Sequence, residues 1–165
     1  MADMTDLPRT WTLDEMTTRV AAMDGVRILV ADAESGAPES AWGDMFVYDA
    51  GASAATASAD AGIPFATIVV SDYPGFDTAS DLDRPDVYRV NIHVGRDRFR
   101  DLVGYGPESS ASRRDEHDYR EADRVLPHPV YAAQAWVSIV NPGPRTGDLV
   151  TSLLAEALAW SRRRG

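Results

Sequence analysis

Val87-Tyr88-Arg89-Val90-Asn91-Ile92-His93-Val94 alternates apolar and polar side chains along its length. In an extended backbone successive side chains point to opposite faces, so Tyr88, Val90, Ile92 and Val94 share one face. Val87, Arg89, Asn91 and His93 share the other. The reading is an antiparallel strand with its aliphatic side on a core and its polar side turned to solvent. Three hydrogen-bonding side chains in a row also suit the floor of a ligand pocket.

Four further segments read as strands on either side of it. Residues 26–31 are short and rich in β-branched side chains, and 44–49 alternate, with Met45, Val47 and Asp49 opposite Phe46 and Tyr48. Residues 64–71 are nearly all apolar and belong in the centre of a sheet, and 135–140 form the last strand before Asn141-Pro142-Gly143-Pro144. Helices frame them. Thr12 with Glu15 makes a capping box ahead of a stripe of Leu13, Met16, Val20 and Met23, which Gly25 ends. A second helix covers 96–103. The third runs from Thr146 to about Arg164, with Asp148 in its first turn and three arginines in its last, as the helix dipole favours. Residues 119–125 suit a helical turn.

Strands joined by short loops pair antiparallel, because parallel neighbours need crossovers. The expected architecture is α+β: a single antiparallel five-stranded sheet with helices packed on one face, in the order α-β-β-β-β-α-β-α. Residues 1–11 read as a loose lead-in and 12–164 as one domain. Mobile insertions are expected at 50–62, composed almost wholly of small side chains, and at 104–118. The four tryptophans are expected in the core or at its edge.

Composition removes several chemistries. There is no lysine and no cysteine, so a Schiff-base amine, a phosphate-loop lysine, a thiolate nucleophile and a disulfide are all absent. No Gly-x-Ser-x-Gly elbow and no dinucleotide-binding glycine pattern occurs. A net charge of −10 repels phosphate backbones, so nucleic acid is not an expected partner. No apolar run approaches the roughly 20 residues that span a bilayer, and Asp3 and Asp6 do not suit a signal peptide. A cytoplasmic protein is expected, and the use of arginine in place of lysine suggests a GC-rich bacterial genome.

Candidate site residues come from three places. Arg89, Asn91 and His93 lie on the polar face of the strand 87–94. The loop 71–86 holds five carboxylates, among them Asp81 and Asp83 beside Arg84. Its spacing does not match a calcium-binding loop, and turn structure accounts for it more simply. His128 stands between Pro127 and Pro129 with Tyr131 beyond, prolines that fix the backbone and aim the imidazole. His117, in a charged segment, is expected to be solvated. The expected role is non-catalytic binding of a small anionic molecule or a protein partner, an arginine suiting an anionic or carbonyl-bearing ligand. The alternative is a metal-dependent or general acid/base enzyme using His93, His128 and Asp81 or Asp83. No cofactor and no metal is expected.

Several separated motifs carry a resemblance: Pro64-Phe65-Ala66-Thr67-Ile68-Val69, the stretches 77–85 and 87–95, Leu126-Pro127-His128-Pro129-Val130-Tyr131, and Trp136-Val137. Together they resemble a family of small bacterial proteins known as a domain of unknown function, number 6194. The resemblance covers most of 12–160, with 50–62 and 107–117 outside it, and it implies no activity, cofactor or catalytic residue. More distantly, the helix–sheet–helix order with His-Pro before the last strand is similar to the MmcQ/YjbR-like small α+β proteins. The DNA-binding role suggested for that group fits poorly with this acidity.

Overall fold

A computed structural model describes residues 9–51 and 63–164 of the chain. Among them are the strands β1 (Val26–Val30), β2 (Met45–Asp49), β3 (Ala66–Val69), β4 (Arg89–His93), β5 (Leu126–Pro127) and β6 (Trp136–Val140). All pair antiparallel in one sheet of order β1-β2-β3-β4-β6-β5. The helices are α1 (Leu13–Ala21), α2 (Arg96–Val103) and α3 (Gly147–Arg164). The first four strands meander. After β4 the chain leaves through α2, returns at the sheet edge as β5, and inserts β6 between β5 and β4.

Six strands replace the expected five, so the order gains one strand before the last. The addition is β5, where Leu126 pairs Ser138 and Pro127 pairs Val137. Two residues show no alternation to read, and an edge is where a strand tolerates a proline, which has no amide to donate.

The apolar face of the sheet forms two aligned rows. Met45, Ile68, Val90 and Ile139 lie side by side in one, and Val47, Ala66, Ile92 and Val137 in the next. All eight are buried. Met16 and Val20 of α1, Phe99 of α2, and Val150, Leu153, Leu154, Ala157 and Leu158 of α3 pack on these rows as one core. Each fully buried Val, Leu or Ile contributes about 1.5–3 kcal/mol. Helices therefore lie on one face, as expected.

Local chemistry sets the element ends. The Glu15 N–H donates to Thr12 Oγ1 at 3.1 Å and the Thr12 N–H to Glu15 Oε1 at 3.5 Å, completing the capping box. The helix stops at Ala21, and Gly25, with φ +81°, makes the turn into β1 instead. The helical turn expected at 119–125 does not form. Asp123 sits in the left-handed region with φ 57°, and its N–H donates to the Val140 carbonyl. Its carboxylate turns toward the amides ahead of α3. Gly143, Arg145 and Thr146 N–H groups donate to it at 2.9 Å, and the Thr146 hydroxyl at 2.7 Å.

The expected loop at 50–62 lies almost wholly outside the described residues. Segment 104–118 carries two 3-10 helices, Pro107–Ser109 and Ala111–Glu116. His117 is half-buried rather than solvated, with its Nε2 2.7 Å from the Tyr105 hydroxyl. Trp42 is exposed, not at the core edge, and donates to the Ala37 carbonyl. Among the described residues no helix is long and apolar enough to cross a membrane.

Candidate ligand cavity

The second face of the sheet carries its own rows. Phe46, Thr67, Asn91 and Ser138 align across the strands, beside Val69, Arg89 and Val140. The alternation of β4 is as read, but its polar side is not wet. Arg89 is 1% exposed and Asn91 2%, while His93 is half-buried. The cause is the loop between β3 and β4, which folds back over this face and buries Asp77, Ser80 and Leu82.

A guanidinium removed from water costs several kcal/mol unless its donors are met. Arg89 Nη1 donates to Asp77 Oδ1 at 3.1 Å and to Ser80 Oγ at 2.9 Å, and Nη2 to Asp77 Oδ2 at 2.5 Å. Its Nε donates to Asn91 Oδ1 at 2.8 Å, and Asn91 Nδ2 in turn to Thr67 Oγ1 at 2.9 Å. Burial would raise the Asp77 carboxyl, but the hydrogen bonds and charge of Arg89 outweigh it and hold Asp77 below the usual value.

His128 reaches the same place from β5. Pro127 and Pro129 hold the turn, and the Val130 and Tyr131 N–H groups donate to its Nδ1 at 2.9 and 3.0 Å. Its Nε2 lies 3.5 Å from Arg89 Nη2. Burial, reinforced by the Arg89 charge, pushes its pKa down to about 3, so the ring is neutral at physiological pH. Behind the wall, the Tyr73 hydroxyl and the Val70 N–H donate to the buried Asp44. Burial raises the Asp44 carboxyl, which those bonds offset only in part, and burial together with Asp44 raises the Tyr73 phenol.

Between the sheet and these segments lies a cavity of about 610 Å³. Arg89, Asn91 and His93 floor it, with Phe46, Thr67 and Val69 from the neighbouring strands. Tyr73, Phe76 and Asp77 wall one side and His128, Tyr131 and Trp136 another. At its mouth Ile63 is 83% and Phe76 58% exposed, and Phe76 meets Tyr131 edge-on at 6.2 Å. The His93 ring stacks on Trp136 at 5.3 Å and meets Trp160 of α3 edge-on at 4.7 Å. His128 meets the same Trp136 at 6.5 Å, so both imidazoles pack on one indole.

Five residues singled out in the sequence therefore line one cavity: Arg89, Asn91, His93, His128 and Tyr131. Asp81, Asp83 and Arg84 do not. Asp83 accepts from the Asp72 N–H, Asp72 from the Leu82 N–H, and Arg84 donates to the Asp81 and Ser80 carbonyls. That is turn structure. Among the described residues no three histidine or carboxylate side chains gather to hold a metal, so His93, His128, Asp81 and Asp83 form no ligand set. Asp77, Tyr73 and Phe76 were missed as individual residues. The available signal was an arginine on a strand that turns out to be buried, since such a group requires a carboxylate brought to it.

A model for a family of unknown function (DUF6194) matches residues 11–165. No curated protein and no solved structure matches the chain.

Proposed function

The chain belongs to this family of unknown function, and since membership brings no activity with it, we propose from the cavity itself that the protein binds a small, largely apolar molecule there. The observation that carries this is the composition of the cavity. Aromatic and aliphatic side chains make most of its lining, over a floor whose polar groups are held in fixed positions by one another. Ligand cavities of several hundred Å³ commonly combine apolar walls with a few such placed polar groups.

Binding without chemistry fits the state of those groups. His128 is neutral with Nδ1 occupied by two amides, and Asp77 is paired with Arg89. Asp44 is capped by Tyr73. Each is already committed to partners within the protein, which a general base must not be. The exposed rings at the mouth support a ligand that enters from solvent and leaves again.

The test is a screen of charged and neutral aromatic fragments against the ¹⁵N-labelled protein. Shifts concentrated on 63–77, 89–93 and 128–136 are expected. An absence of hits, or hits scattered over the surface, overturns the reading.

A further inference from the structure

Resting on that binding role, we infer that the ligand presents a neutral hydrogen-bond acceptor, a carbonyl oxygen, to two N–H groups that converge in the cavity: one on Arg89 Nη2 and one on His128 Nε2.

A guanidinium has five N–H bonds. On Arg89, Asn91, Ser80 and the two Asp77 oxygens take four of them. The fifth belongs to Nη2, and His128 Nε2 stands 3.5 Å away. That contact is a hydrogen bond only if Nε2 holds the lone pair. It does not, because the Val130 and Tyr131 amides both donate to Nδ1, and a neutral imidazole has a single lone-pair nitrogen. Nε2 therefore carries the hydrogen, and two donors face each other. Arg89 and His128, 1% and 4% exposed, both line the cavity. One oxygen set to the side of the line joining them, at about 2.9 Å from each nitrogen and with both N–H bonds turned toward it, satisfies both.

Charge decides the kind of oxygen. The sequence, with Arg89 considered alone, suited an anionic or a carbonyl-bearing ligand. Among the described lining residues the side chains with a permanent charge are Arg89 and Asp77, and their two-pronged pair cancels. Beyond the wall, Asp44 lies behind Tyr73, and Arg114 donates to the Pro129 carbonyl. Those two are opposite in sign. A ligand carboxylate placed there would find the Arg89 charge already taken by Asp77, at a desolvation cost that a carbonyl does not incur. The low pKa of His128 agrees, since the ring supplies an N–H without a charge.

Three probes of matched shape test this by ¹H–¹⁵N titration of the full chain: 2-acetylnaphthalene, 2-ethylnaphthalene and 2-naphthoate. The ketone is expected to bind about tenfold more tightly than the hydrocarbon, the worth of one to two net hydrogen bonds, and more tightly than the carboxylate. Its addition should shift the His128 Nε2–H and Arg89 guanidinium signals. If all three map to the cavity but the naphthoate binds best, or the ketone no better than the hydrocarbon, this inference fails and the cavity reading stands. If none reaches the cavity, both fail. A separate readout needs no variant: a long-range imidazole spectrum of the unliganded protein should place the proton on Nε2, and a proton on Nδ1 overturns the inference outright.

Discussion

Arg89 and Asp77 form a pair in which each residue is costly without the other. Truncating one member of a buried pair strands the other charge, at about 3–5 kcal/mol. Asp77→Ala should therefore lose about that much in urea unfolding. Asp81→Asn, on the same loop but exposed and 3.6 Å from Arg84, keeps a residue that tolerates its φ of 51° and should stay within about 0.5 kcal/mol. Equal losses would mean that the Asp77 contact does not hold the loop. His128 makes a second residue-level prediction, in pH. Its folded-state pKa of about 3 lies below the unfolded value of 6.5, so the unfolded chain takes up the proton first. The stability this ring contributes is complete above pH 6.5 and falls as pH drops toward 3, by at most about 1.4 kcal/mol per pH unit. Asp44, raised in the folded state, acts in the opposite sense, so the wild type is compared with His128→Gln. Between about pH 6.5 and 5 the variant's stability should change less steeply, and parallel curves would disprove a buried neutral ring.

At the scale of elements, β4 is the test of facing. Ile92 is central in the core row shared with Ala66 and Val137, and Ile92→Asp should leave the domain unfolded by circular dichroism. His93, on the opposite face, is sandwiched by Trp136 and Trp160, so His93→Ala should cost about 0.5–1.5 kcal/mol while the fold persists. The beginning of α3 depends on a residue far from it in sequence. Burial alone would raise the Asp123 carboxyl, but its four hydrogen bonds from Thr146, Arg145 and Gly143 hold it below the usual value. Asp123→Ala should cost about 1–3 kcal/mol and weaken hydrogen-exchange protection first at 143–150. Protection lost uniformly instead would show that Asp123 does not act on the helix start. Such a cap leaves little sequence trace, because its partner amides lie 20 residues or more downstream.

For the whole molecule, a ligand that binds only the folded state stabilises it by about 2.7 kcal/mol at a hundredfold excess over Kd. For a domain of this size that corresponds to roughly 5–10 °C in Tm. Such a shift with 2-acetylnaphthalene should shrink sharply in Phe76→Ala, whose side chain is exposed at the mouth and whose unliganded Tm should hardly change. An undiminished shift in that variant would place the ligand elsewhere. The class of the fold, the helices and five of the strands were legible because each is a local pattern: period two in β2 and β4, a capping box before α1, a broad apolar stripe in α3. Alternation also assigned each side chain of β4 to a face, since it follows from backbone geometry alone. What lies against a face does not. Asp77 meets Arg89 across 12 residues and His128 meets it across 39, and contacts over such separations impose no periodicity on the chain. Only the tertiary structure, by folding one loop and one proline-flanked turn onto the sheet, made a polar strand face into the floor of a buried cavity.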